Sequence, residues 1–444
     1  MKGCFTGLVF VVFRGINILQ ISSMNMKFSK CKYFLNIESV KNIFVFYLPK
    51  KICVLLLLIF LGLSSCSKKH VSSGTAIPPV QNDTITGLSI VWDNATLQKI
   101  APLQNRNIGY CGYPRMVQLF DNSLICVYEI SGGVIECIKS LDLGKTWTIP
   151  KIIATGSNGI NCTVPEILEL KNHSLLASYN LRPAVFDASK HFGISIKKSY
   201  DGGITWQEER LLYQAGAAFE DGCWEPSQLQ LPSGEIQLFF SNEGIYTNSN
   251  EQNISLLRSF DNGLNWTTKP EIISFSAGKR DGMPVPIFLI EKNEILFSIE
   301  DNGAGQFSPS VIRNNLSDNW KTPADEGSPS RTTALAIPLA STIYAGAPYL
   351  RQLQTGETVL SYQSTEGRNS QWDLSCMNVV VGDAEGKNFR NKSIPFDVPL
   401  GKRGLWNSLC VLTDNTVVAL TSTNAYSINN ETEVWMIRGK ILKH

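Results

Sequence analysis

Six times along the chain an extended segment runs through a turn rich in Asn, Gly or Asp into a strongly apolar stretch. These stretches begin at Asn122 (NSLICVYE), His173 (HSLLASYN), Gly234 (GEIQLFFSNE), Asn293 (NEILFSIE), Gly356 (GETVLSYQ) and Asn415 (NTVVALTS). Their apolar positions are too dense for a sheet with one wet face, which predicts strands packed between neighbouring sheets. Pro114, Pro165, Pro226, Pro284 and Pro348 introduce five of the preceding segments, and Leu405-Trp406 replaces the proline in the sixth. Proline at the first residue of a strand removes no ladder hydrogen bond, so it is expected to punctuate each sheet without breaking it.

A second pattern has nearly the same period. Ser140-Leu-Asp142-Leu-Gly144-Lys-Thr146-Trp147 returns as Ser199-Tyr-Asp201-Gly-Gly203-Ile-Thr205-Trp206 and as Ser259-Phe-Asp261-Asn-Gly263-Leu-Asn265-Trp266. Leu316-Ser-Asp318-Asn-Trp320 is a weaker echo. Asp supplies a side-chain acceptor for a tight turn and Gly the positive φ, while Trp packs beneath. The phrase resembles the Asp-box (BNR) repeat of sialidase-like β-propellers. A unit of about 60 residues that cannot bury its own face must stack on copies of itself. The expected fold is all-β, a six-bladed β-propeller with Asp-box repeats spanning 86–444. Residues 86–100 or 433–443 should lend the outer strand of a blade begun at the other terminus.

With 40 basic and 38 acidic side chains the chain is near neutral, and no basic block marks the repeats, which argues against a nucleic-acid partner. The leading residues differ. Lys50-Lys51 precede an apolar run from Ile52 to Leu63, and Leu63-Ser64-Ser65-Cys66 resembles a bacterial lipobox. Residues 1–66 therefore read as an N-terminal extension and lipoprotein signal peptide with Cys66 as the lipidation site, and 67–85 as a flexible tether. An exported monomer is expected, periplasmic or at the cell surface, meeting the membrane only through that anchor. Seven cysteines follow Cys66 with no CxxC spacing, and the four histidines are scattered, so no metal or cofactor is expected. Cys126 and Cys137 fall on neighbouring predicted strands, within reach of a bridge.

In a propeller the site collects where inner strands begin and second strands end. Those positions hold Glu129, Asn180, Asn242-Glu243, Glu300-Asp301 and Tyr362-Gln363, with Tyr113-Pro114-Arg115, Pro165-Glu166, Trp224-Glu225-Pro226, Arg280-Asp281-Gly282-Met283-Pro284 and Tyr349. Carboxylates, amides and aromatic rings around one funnel suit a carbohydrate, and a carboxylate pair suits glycosidic cleavage. Gly222-Cys-Trp-Glu225-Pro226, Arg280-Asp-Gly-Met-Pro284 with Phe297-Ser-Ile-Glu300, and Pro348-Tyr-Leu350 with Val359-Leu-Ser-Tyr-Gln363 resemble glycoside hydrolase family 93. That resemblance implies an exo-acting, retaining α-1,5-L-arabinanase that releases arabinobiose from an oligo- or polysaccharide. It also implies Glu225 and Glu300 as the catalytic pair; Glu225 is favoured as acid/base and Glu300 as nucleophile. Trp224, Tyr113, Arg115, Asn180, Asn242, Arg280, Asp281, Tyr349 and Tyr362 are the candidate substrate contacts. The three Asp-box aspartates read as structural.

Two rivals remain at this stage. An exo-α-sialidase would need Arg115, Arg280 and Arg351 as a carboxylate-binding triad and Tyr362 as nucleophile. A glycan-binding lipoprotein would need the aromatic rings but not both glutamates.

Overall fold

A computed structural model describes residues 86–103 and 106–444; the signal peptide, Cys66 and the tether lie outside them. The described residues form six four-stranded antiparallel sheets. The inner strands are Cys111–Gln118, Ile160–Glu169, Cys223–Gln230, Asp281–Leu289, Ala345–Gln352 and Gly404–Val411. Each meets the inner strands of both neighbouring blades, so together they surround one axis. The second strands are Leu124–Ile130, Leu175–Pro183, Ile236–Asn242, Glu294–Asp301, Thr358–Ser364 and Val417–Thr423. All are buried nearly throughout, as their unbroken apolar runs require. Leu88–Ala101 pairs with Glu433–Lys443, so an N-terminal strand completes the blade that the C-terminus begins. This closes the ring of blades by tying the two ends of the propeller into one sheet.

The prolines do something the sequence pattern did not suggest. They lie within the inner strands, not at their first residues. The ladders slip between Gly112 and Arg115, Thr163 and Glu166, Trp224 and Ser227, Gly282 and Val285, Gly346 and Tyr349, and Leu405 and Ser408. Each slip is a β-bulge, and in the five that carry proline its missing N–H leaves no ladder bond unmade. The residue that opens each bulge is not glycine, yet it has positive φ: Tyr113, Val164, Glu225, Met283, Ala347 and Trp406, at 47–54°. Such backbone is strained by roughly 1–3 kcal/mol per residue and persists only where surroundings enforce it.

The enforcing contact is the same in every blade. The N–H of each bulge residue donates to a side chain of the preceding blade's second strand. Tyr113 donates to Ser422, Val164 to Glu129, Glu225 to Asn180, Met283 to Ser241, Ala347 to Glu300 and Trp406 to Gln363, at 2.6–3.1 Å. Six side-chain acceptors thus lock six strained bulges around the axis.

The three Ser-x-Asp-x-Gly turns follow third strands and lie at the opposite end of the blades from this ring. Asp142, Asp201 and Asp261 each accept the backbone N–H four residues on, at 2.8–2.9 Å, while Ser140, Ser199 and Ser259 accept that of the turn glycine. Every one of these acceptors is spent on its own turn. All seven cysteines from Cys111 onward are free and buried. The Cys126–Cys137 bridge does not form, because Cys137 pairs with Val127 and alternation turns Cys126 to the other face.

Candidate active site

Five of the six bulge residues are apolar. Tyr113, Val164, Met283 and Ala347 pack together with Trp406, and Tyr113 stacks on Trp406 with centroids 4.6 Å apart. The sixth position is Glu225, a carboxyl set into an otherwise apolar floor. Burial first, then the negative charges of Glu300 and Glu243, push it up to about 8 against the pull of Ser241 and Arg280. At neutral pH Glu225 therefore holds a proton.

Glu300 belongs to the ring of acceptors. Its Oε2 accepts the Ala347 N–H at 2.9 Å. Burial raises its pKa as well, but that N–H and the charge of Arg280 draw it back. Glycines make room beside it. A Cβ at Gly346 would stand 2.6 Å from Glu300 Oε2 and 2.4 Å from the Tyr344 hydroxyl, and one at Gly282 would stand 3.1 Å from Glu300 Oε1. Asp301, next in sequence, points away and pairs with Arg331 at 2.9 Å, so it leaves Glu300 unperturbed, as strand alternation requires. The structure thus brings Glu225 and Glu300 together at the floor, with Arg280 within electrostatic reach of both.

Other candidates from the sequence sit elsewhere. Asn180 is fully buried; it caps the Glu225 N–H and donates to the Cys223 carbonyl at 2.7 Å, so it holds the strand and not a substrate. Asn242 is spent on Ser255, Tyr213 and the Gly244 N–H. Its neighbour Ser241 occupies the ring position, because a one-residue slip reverses the face of a strand side chain. The same slip puts Tyr362 in the core among Leu350, Leu360 and Val380, leaving Gln363 in the ring. Asp281 is buried on Arg331 and Ser274. Tyr349 lies deeper than the floor: its hydroxyl donates to Glu166 at 3.1 Å, and the guanidiniums of Arg115 and Arg351 lie 4.8 and 4.3 Å from its ring. Arg115 itself donates to the Pro114 and Trp406 carbonyls. Tyr349 is buried, so its ring is unavailable to a sugar.

Tyr113, Trp224 and Arg280 remain beside the carboxylates. Trp224 is only 7 % exposed, wedged against Phe192 and Phe219, and its Nε1 donates to Glu243 at 3.0 Å. The accessible aromatic surfaces are Phe219 on that side and Trp372, which lies 6.0 Å from Trp406 and 6.3 Å from Tyr344. Tyr344, Trp372 and Trp406 were not among the site positions expected from sequence, and Glu243 stood among them without an assigned role. Tyr344 had a legible signal: it stands three residues before a bulge, as Tyr110 and Arg280 do, with a glycine between. Trp372 had none, since it opens a single 3₁₀ turn, Trp372–Leu374, between a second and a third strand.

No protein-family model matches the chain, and no curated protein matches it in sequence. Solved structures do match in fold. The α-L-arabinofuranosidase of glycoside hydrolase family 93 from Fusarium graminearum, bound to arabinobiose, aligns with a TM-score of 0.57 at 18 % identity, over 77 % of this chain and 97 % of that one. Penicillium chrysogenum α-L-arabinanase, also bound to arabinobiose, gives 0.55 at 17 % identity over the same shares. The NanB sialidase of Streptococcus pneumoniae gives 0.56 at 13 % identity, over 79 % of this chain and 71 % of that one. The chain is a six-bladed β-propeller of the fold that this arabinofuranosidase, arabinanase and sialidase share.

Proposed function

We propose that the protein is a retaining glycoside hydrolase that cleaves α-1,5-linked L-arabinan from a chain end and releases arabinobiose. One observation carries the reading. Two buried carboxyls share the floor: burial raises both, Glu225 up to about 8, while at Glu300 the Ala347 N–H and Arg280 oppose the rise. Glu225 donates its proton to the departing glycosidic oxygen while a Glu300 oxygen attacks the anomeric carbon, giving a glycosyl ester and a free sugar end. Glu225, now a carboxylate, takes a proton from water as that water attacks the same carbon and Glu300 leaves. Phe219, Trp372 and the Tyr113–Trp406 stack offer rings to the C–H faces of the sugars. The two arabinobiose-bound enzymes of the same fold supply the substrate class.

The sialidase reading loses its parts. Arg115 and Arg351 lie below the floor against Tyr349, Arg280 is engaged by Glu243, and Tyr362 is in the core. Glycan binding without cleavage draws support from one fact: the hydrogen bond made by Glu300 is made elsewhere in the ring by Glu129, Asn180, Ser241, Gln363 and Ser422. Glu300→Gln separates the two, because it keeps an acceptor for Ala347 but removes the nucleophile. Incubation with linear α-1,5-arabinan and, in parallel, with a sialyl-lactose tests the substrate class. Arabinobiose from the first supports the proposal, and sialic acid from the second overturns it. We further place the propeller outside the cytoplasm on a lipid at Cys66; Cys66→Ser should then release it from the membrane fraction.

A further inference from the structure

Glu243 is a carboxylate near the catalytic pair that the steps above leave unused. It follows the second strand of the third blade and is 1 % exposed. Its Oε2 accepts from Trp224 Nε1 at 3.0 Å, and its Oε1 accepts from Gln252 Nε2 at 3.0 Å and from Arg280 Nη2. Its backbone N–H donates to the Gly222 carbonyl at 3.0 Å. One side chain thus ties the strand that carries Glu225 to a loop of its own blade and to the start of the next blade. Arg280 gives a second bond to the Asn250 carbonyl at 3.3 Å. This guanidinium is partly exposed, at 32 %, and among the carboxylates in reach it rests on the one that is hydrogen-bonded to it, Glu243.

Resting on the hydrolase reading above, we propose that Glu243 is a positioning residue. By holding Arg280 on its own carboxylate, it keeps that cation from pairing closely with Glu225, and so preserves Glu225 as the acid. The titratable and charged groups that face Glu225 are Glu243, Arg280, Glu300, Tyr113, Tyr344 and Cys223. Among them Arg280 is the cation, so where it rests decides whether Glu225 keeps its proton. The Glu243 charge acts in the same sense, since a nearby anion disfavours ionisation.

The test reads Glu225 directly. The side-chain carboxyl of Glu225 is titrated by carbon-13 NMR in the full chain labelled at glutamate, with the resonance assigned by its loss in Glu225→Gln. Glu243→Gln should lower the Glu225 midpoint by about one pH unit or more, since it removes an anion and frees Arg280. Arg280→Gln should move it the opposite way. If the first variant does not fold, the second reads the same coupling from the other side. Midpoints unmoved in either folded variant, even with altered melting temperatures, would make Glu243 a structural residue only and overturn the proposal. Because the titration needs no substrate, a parent protein inactive on arabinan would sink the hydrolase reading while leaving this coupling measurable. In an active parent, the basic limb of the kcat/KM profile should move with the midpoint.

Discussion

Replacing Glu225 by Gln should abolish turnover and, at the same time, stabilise the fold, by an amount that grows with pH. The carboxyl is raised from an ordinary 4.5 to about 8. A folded-state value above the unfolded one means that the folded protein holds the extra proton between those limits. Stability from this group is therefore intact below pH 4.5 and declines as pH rises towards 8. At about 1.4 kcal/mol per pH unit, the loss between pH 5 and pH 8 is of order 3–4 kcal/mol. Gln has nearly the same shape and does not titrate, so the variant escapes that loss. Glu300 and Glu243 are present in both proteins and largely cancel in the comparison. Urea unfolding followed by tryptophan fluorescence at pH 5 and pH 8, for parent and variant, gives the difference. A Gln variant whose advantage is equal at the two pH values would refute the claim that Glu225 is held protonated by its surroundings.

Further outcomes follow from the ring and its neighbours. Gly346→Ala places a Cβ against Glu300 and the Tyr344 hydroxyl; kcat/KM should fall on the order of 100-fold, as for an ångström-scale misplacement, with an unchanged far-ultraviolet circular dichroism spectrum. Asn180→Ala leaves the Glu225 N–H without its acceptor. It should destabilise the protein by roughly 1–3 kcal/mol in urea unfolding and lower kcat more than it raises KM. Tyr362→Phe should leave turnover within about twofold, because the ring is buried in the core and surface or core changes remote from the site leave its geometry intact; a sialidase using Tyr362 would lose all activity.

Much of the fold was legible because burial on both faces of every second strand writes an apolar run that a helix or a wetted sheet would not tolerate. The closure by residues 88–101 was half legible: an orphan strand at each end called for a ring, but either end could have supplied the outer strand. The expected pair rested on the resemblance to glycoside hydrolase family 93; the chain pattern itself showed Glu225 before a proline in register with four other residue–proline pairs and Glu300 at a second-strand end. What failed was phase. Asn242 and Tyr362 are each one residue from the ring positions Ser241 and Gln363, and a strand reverses its face at every step. Asp281, Asn180 and Tyr349 failed for another reason. Their polarity serves buried ion pairs and strand caps, which demand the same residue types as a sugar site does. The bulges themselves left a trace in the prolines, but only their positive φ shows why Glu225 projects into the floor.

The most direct test of the central claim is the anomeric configuration of the first product released from linear α-1,5-arabinan. It is followed by proton NMR before mutarotation sets in, for the parent, Glu225→Gln and Glu300→Gln. The account predicts arabinobiose of retained α configuration from the parent and at least a thousandfold loss in each variant, in the range that removal of a catalytic group brings. A product of inverted configuration, or a Glu300→Gln protein that still turns over, would contradict it.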